Sequence, residues 1–320
     1  MGSNGNTLKQ LAHFLNPKQT SMPEAINLDL ITTGEYFQSE MNLFMPLNTE
    51  ICPDYYNHLP ESLNIKIQKM DFSNNVKAVD IINHKIQNLT NGHISHFLSP
   101  QEINEFTQLI IAESFYFKFN WTYPFKKESM GMNNFVTLKN EFKTVQMMSL
   151  SRKLNYTQDD KFHMVKLMFA DQASSMIILV PKEKGDIKKL FSKLNTEQII
   201  KMIPTMKEEQ IKLTMPSFKT EVKHDLSKLM SLYGIVDAFT NAADFSKMSP
   251  SKLKISKFSQ TIGIDFGIEN IQNYDAINID MSKTRQARSI NEPIVVTADR
   301  PFLYFVHMIY DIIPIVGIYH

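Results

Sequence analysis

The sequence predicts an α+β fold built on large antiparallel sheets. Two runs, Thr7 to Leu15 and Val76 to Leu89, place apolar residues at helical spacing. Several shorter runs alternate or are continuously apolar between turn residues, which is how strands read, and they dominate the C-terminal half. The chain has no tandem repeat and no Gly/Ser linker, and its 10 glycines are scattered. Helices and strands in such a mixture, without regular β–α alternation, point to α+β rather than to a parallel α/β sheet.

In order along the chain, Leu8, Leu11, Ala12 and Leu15 mark one face of the first helix, and Val76, Val79, Ile82 and Ile86 one face of the second. Leu109 to Trp121 carries Ile–Ile and aromatics and reads as a buried strand. Met164 to Phe169 and Ser175 to Val180, divided by Ala170-Asp171-Gln172, read as a hairpin. Gly185 to Met206 reads as helix and turn. From Ile211 to Phe218, Ile211, Leu213 and Met215 alternate with Lys212 and Thr214, the pattern of a half-buried strand. Asp225 to Leu232 is helical and is closed by Gly234. The segment from Ile294 to His320 is apolar but is interrupted by Asp299, Arg300, His307 and Asp311 and punctuated by Pro301 and Pro314. Buried strands joined by turns fit it, and a membrane helix does not.

Length and charge narrow the function classes. The 320 residues allow one large domain or two smaller ones, and 43% are hydrophobic, enough for a sizeable core. With 34 basic and 33 acidic residues the net charge is +1, so nothing points to nucleic acid. The single cysteine, Cys52, excludes an intrachain disulfide and reads as a buried or unreactive thiol. The first residues, MGSNGNTLKQ, carry no apolar signal region, and Asn6 breaks a myristoylation pattern after Gly2. Sequons at Asn88, Asn120 and Asn155 carry weight only on a secretory route.

The sequence contains no G-x-S-x-G elbow, no H-E-x-x-H, no phosphate-binding loop and no C-x-x-C. Gly263 and Gly267 do not form a dinucleotide fingerprint. His93 and His96 fall on one helical face but have no cysteine or carboxylate cluster beside them, so no metal is expected. Taken alone, these residues assign no reaction. One segment stands apart: Asn270 to Pro293, NIQNYDAINIDMSKTRQARSINEP. Ile277, Ile279 and Met281 alternate with Asn278, Asp280 and Ser282, and Lys283, Arg285 and Arg288 follow. Two readings stand: an edge strand with a solvated loop, or a protease bait, because an exposed Arg-Ser bond suits a trypsin-like active site.

At this point the residues resemble a family, the serpins. Ile110 to Phe125, IIAESFYFKFNWTYPF, resembles the serpin strand ending in Tyr-Phe-Lys, Trp and Pro-Phe. Met215-Pro216-Ser217-Phe218-Lys219, then Asp225-Leu226, Leu229, Leu232, Gly234-Ile235, Asp237 and Phe239, resembles the stretch leading to Ala243-Asp244-Phe245-Ser246. Ile82-Asn83 with Thr90, Gly92 and Ile94 matches another family pattern. Asp299-Arg300-Pro301-Phe302-Leu303-Tyr304-Phe305 resembles the segment after the bait loop, and Ile315-Val316-Gly317 the final strand. Gly2 to Thr7 resembles a motif that lies well inside a typical serpin. Two helices and a strand of the second sheet would precede it, so the resemblance implies one serpin domain over 1–320, truncated at its N-terminus and poorly stable for that reason.

The resemblance implies a serine protease inhibitor acting as a suicide substrate, not an enzyme, with no cofactor and no metal. The partner is a trypsin-like serine protease; nucleic acid and membrane are not expected, and the protein is expected to be a monomer. The compartment depends on whether the true N-terminus is in view: cytoplasmic or non-classically secreted if so, extracellular if a segment precedes it. The reactive-centre loop spans 270–293. Its hinge is Glu269, Asn270, Tyr274, Asp275 and Ala276, and it departs from the family: no Gly follows Glu269, Tyr274 takes the usual Gly place, and Ala276 is the lone alanine. Glu113 stands where the family usually has Asn, and a buried carboxylate there needs a partner or protonation. Trp121, Asn83, Pro301 and Phe302 are implied as structural positions.

The resemblance also implies which loop residues turn inward on insertion: those with the parity of the position thirteen residues before the bait residue, and that favours Arg288–Ser289 over Arg285 as the bait bond. With Arg288, the implied inward set is Asp275, Ile277, Ile279 and Met281; with Arg285 it is Gln272, Tyr274, Ala276, Asn278 and Asp280. Burying Asn278 and Asp280 unpaired costs about 1–3 kcal/mol each, whereas burying Ile277 and Ile279 gains about 1.5–3 kcal/mol apiece. The runner-up is a serpin-fold binding or chaperone-like protein that does not inhibit, favoured by the hinge and the missing helices.

Overall fold

A computed structural model describes residues 2–15, 37–59, 64–90, 92, 94–118, 120–183, 192, 196–266, 292–308 and 313–320. Two compact units result, one of Met1–Lys118 with Lys219–Asp265, the other of Phe119–Phe218 with Phe266–His320.

The first unit contains the helix α1 (Gly5–Leu15), strand β1 (Phe37–Pro46), the short helix α2 (Pro53–Asn57), strand β2 (Ile65–Met70) and helix α3 (Asn75–Leu89). Strand β3 (Leu109–Lys118) follows and, beyond the second unit's first segment, β9 (Lys219–Asp225), α5 (Leu226–Leu232) and β10 (Ile255–Asp265). Its five-stranded sheet runs in the order β2-β1-β3-β10-β9. Helix α3 starts where the Asn74 side chain accepts a bond from the Lys77 amide, a cap that satisfies an otherwise orphan donor. It buries Ala78, Val79, Ile82 and Ile86 against Phe44 of β1 and Ile110 and Ala112 of β3. Val76, expected on the apolar face, is 55% exposed, and Ala78 takes the inward place. The opposite face of the sheet contributes Leu43, Met45, Leu109 and Ile255 to a second cluster. Helix α5 ends as its sequence indicates, with Gly234 at φ +85°, a left-handed turn that side chains disfavour.

The second unit holds β4 (Met130–Val136), β5 (Phe142–Gln158), β6 (Phe162–Met168), β7 (Ser175–Pro181), helix α4 (Thr196–Met202), β8 (Lys207–Pro216), β11 (Ile294–Thr297), β12 (Phe302–His307) and β13 (Ile315–Tyr319). The strands run in the order β11-β8-β5-β6-β7-β12-β13, with β4 paired to β5. The hairpin β6–β7 is antiparallel, from Phe162 opposite Pro181 to Met168 opposite Ser175. Strand β8 buries Ile211, Leu213 and Met215 and exposes Lys212, the expected alternation, but it begins at Lys207, before the apolar run. The strand expected to reach Trp121 stops at Lys118; Trp121 instead makes an isolated bridge to Phe169. Cys52 is a free, half-buried thiol.

Candidate functional site

The centre of the first sheet is a parallel seam. Strands β3 and β10 lie side by side from Leu109 opposite Ile255 to Lys118 opposite Asp265, with one irregularity near Ser256. They are far apart in sequence, and a parallel ladder is slightly weaker per residue than an antiparallel one. Both flanks are antiparallel: β1 against β3 and β9 against β10.

On one face of the seam, Gln260 Nε2 donates to Glu113 Oε2 at 2.7 Å, and the two residues are directly in register. Burial raises the Glu113 carboxyl above its usual value, and the bond from Gln260 opposes that rise. The carboxylate therefore has the partner its position calls for. At the end of the seam, the Tyr116 ring packs so closely on Gly263 that a Cβ there would approach it to 2.9 Å. Burial, and then the nearby Asp265 carboxylate, push the Tyr116 hydroxyl to about 12. Asp265 itself pairs with Lys219 at 3.1 Å.

The segment that joins α3 to β3 is fastened across the sheet. Asn83 holds its first turn: Nδ2 donates to Leu98 O at 2.9 Å, while Oδ1 accepts from the amides of Phe97 at 3.1 Å and Leu98 at 2.8 Å. Farther along, Glu102 reaches Lys257 of β10 at 2.6 Å and Lys223 of β9 at 3.5 Å, and Lys257 also faces Asp225 at 3.6 Å. Burial alone would raise the Glu102 carboxyl; the hydrogen bonds from Lys257 and Ser99 and the two lysine charges outweigh it and hold it at about 2. Sequence reasoning missed this ion cluster, because nothing local links residue 102 to 223 and 257.

Two of the quoted sequence motifs meet in space. The Asn4 amide donates to Asp244 O at 2.9 Å, the Asp244 amide to Thr7 Oγ1 at 3.0 Å, and Asn6 Nδ2 to Asp237 Oδ2 at 2.6 Å. In the second unit, Trp121 is buried among Phe125, Phe169 and Phe266. Pro301 is buried at the start of β12, and Phe302 stacks on Tyr319. Gly317 leaves room for the Tyr304 ring, which a Cβ would strike. His96 bonds Ser95 Oγ at 2.8 Å; among the described residues no group of His, Cys, Asp and Glu could hold a metal. Nor is any described helix long and apolar enough to cross a membrane. The hinge residues Glu269, Asn270, Tyr274, Asp275 and Ala276, the strand residues Ile277, Ile279 and Met281, and Arg285, Arg288 and Ser289 lie outside the described residues.

A family model described as serpin (serine protease inhibitor) matches residues 1–315. The chain belongs to the serpin family. Serpin B6 of Macaca fascicularis is 27% identical over 321 residues, covering 96% of this serpin and 84% of that protein. An uncharacterized serpin-like protein of Methanosarcina acetivorans is 30% identical over 306 residues, 95% of this chain and 70% of that one. The leukocyte elastase inhibitor of Bos taurus is 26% identical over 321 residues, 96% and 84% of the two chains. Among solved structures, native protease nexin-1 with heparin superposes with a TM-score of 0.83 at 21% identity, covering 99% of this serpin and 87% of that chain. Uncleaved ovalbumin does so at 0.83 and 23% identity, covering 99% and 88%. The α+β serpin fold expected from the sequence is the fold the chain has. Its relatives include serine protease inhibitors.

Proposed function

We propose that this serpin inhibits a trypsin-like serine protease by offering Arg288–Ser289 as substrate and inserting residues 275–282 as a strand between β3 and β10. The observation that carries this reading is the parallel seam. A chain that reverses just after β10 runs antiparallel to β10, and therefore also antiparallel to β3. Entry there exchanges one parallel ladder for two antiparallel ones, which are the stronger kind. Each ladder bond gained contributes about 0.5–1.5 kcal/mol net.

The two faces of the seam support the same assignment. One carries Ile111, Phe115, Phe258 and Ile262 around the Glu113–Gln260 pair; the other carries Ser114, Ser259 and Thr261. Ile277, Ile279 and Met281 suit the first, and Asn278, Asp280 and Ser282 suit the second. In the chemical step the protease serine oxygen attacks the Arg288 carbonyl carbon. The bond to the Ser289 nitrogen breaks, an ester forms on the protease, and the new amine of Ser289 takes the proton from the protease's base. The reaction belongs to the protease; this chain supplies the bait and the sheet. The domain is read as a single one with its reactive loop at 270–293.

Asp275 and Tyr274 at the leading end of the insert favour a second reading, a serpin that is cut without trapping its protease, or one that only binds. Incubation with trypsin separates the two. The inhibitory reading expects an SDS-stable complex and a released C-terminal fragment beginning at Ser289. Complete cleavage with no complex supports the second reading. Cleavage mainly after Arg285, with a complex still forming in Arg288→Ala, overturns the assignment of the bond.

A further inference from the structure

A tier of buried polar side chains lies on the α3 side of the first sheet. Asn42 of β1 and Ser259 of β10 are in register with Ala112 of β3; Glu40 and Thr261 are in register with Ser114. Residues in register share a face, and Ala112 packs in the cluster beneath α3. Asn42 and Ser259 are 0% exposed, Thr261 1% and Glu40 8%. Both amide atoms of Asn42, the hydroxyls of Ser259 and Thr261 and the Oε1 of Glu40 are buried without a hydrogen-bond partner among the described residues. Lys85 Nζ stands 3.6 Å from that oxygen.

Buried polar atoms in native proteins are bonded to something, and where protein supplies nothing, ordered water does. The chemistry of the tier selects water over an ion. It offers donors and acceptors together: an amide, two hydroxyls and a carboxylate oxygen. An anion would meet Glu40, and a cation would meet Lys85. Spacing fits as well. Asn42 and Ser259 flank Ala112 two strand separations apart, about 9.5 Å between backbones. The Ala112 methyl is all that β3 places between them, and two bonds to one water span about 5.6 Å.

We propose that ordered water is bound beneath α3, bridging Asn42 to Ser259 over Ala112 and Glu40 to Thr261 beside Ser114. Water then stands in for direct side-chain contact on this face of the β3–β10 seam. The site exists in the closed sheet whether or not a strand ever enters it.

The test uses the full chain labelled with 15N asparagine and a water-selective, exchange-filtered Overhauser experiment. The Asn42 side-chain amide protons are expected to show cross-peaks at the water frequency with the sign of a long-lived bound molecule. Ala112→Val fills the bridge position with a residue that strands favour. It should remove those cross-peaks and lower the melting temperature, because Asn42 loses its partner; Asn42→Leu in the same chain should restore the melting temperature. A dry gap behaves oppositely: no cross-peaks in the unaltered protein, and a rise in melting temperature on Ala112→Val. Either of those results overturns the proposal.

Discussion

Glu113 carries a pH signature. Its carboxyl is raised by burial from an ordinary value of 4.5. A carboxyl raised in the folded state favours folding fully while protonated in both states, and that contribution is lost as pH rises through the folded value. Melting temperature should therefore fall as pH climbs from about 4.5 toward neutrality, and Glu113→Gln should flatten that slope while keeping an amide beside Gln260. A variant as pH-dependent as the parent contradicts the assignment. Glu102 acts in the other direction. Held at about 2 against an ordinary 4.5, it contributes above 4.5 and is lost as pH falls toward 2. Glu102→Gln should lower the melting temperature most above pH 4.5, with the deficit relative to the parent shrinking as pH falls toward 2, measured at low salt. Gly317 is constrained by packing: a methyl there meets the Tyr304 ring inside the sheet. Gly317→Ala should cost about 1–3 kcal/mol in chemical unfolding, as overpacked cores do.

At the scale of elements, Asn83 does for the segment after α3 what a cap does for a helix. Its three bonds to Phe97 and Leu98 fix the path over the sheet that Glu102 then ties to β9 and β10. Asn83→Ala leaves two amides and a carbonyl without those partners and should cost about 2–4 kcal/mol, with faster hydrogen exchange confined first to residues 94–103. An unchanged melting curve would remove Asn83 from that role. The elements also show what sequence can carry. Helices α1 and α3 and strand β8 are visible because each buries one face and turns the other outward; the β6–β7 hairpin is visible as two short apolar runs divided by a turn, and β7 is buried throughout. Strand β10 is harder to see: Ser259, Thr261 and Gly263 interrupt its apolar pattern while the backbone sits at the centre of a sheet. Strand β9 is mostly exposed and lacks an apolar face altogether. The seam pair Glu113–Gln260 joins residues 147 positions apart, which no local pattern reports. The proposed bait segment stands on composition, Ile277, Ile279 and Met281 before Arg285 and Arg288, and on the family resemblance, and its residues lie outside the described ones.

For the whole molecule, the proposed mechanism requires the closed five-stranded sheet to be a state of higher free energy than the sheet with one more strand. The closed form holds a parallel seam at its centre, a raised carboxyl on one face and a tier of polar groups on the other. The single tryptophan, Trp121, is 8% exposed and ringed by phenylalanines, so its emission should be blue-shifted before cleavage. The most direct measurement is the melting temperature of the full chain before and after limited cleavage at Arg288–Ser289, with the site of the cut established by mass spectrometry of the fragment beginning at Ser289. If residues 275–282 enter between β3 and β10, the cleaved protein melts well above the intact one. A cleaved protein that melts at the same temperature as the intact chain, or below it, contradicts the account.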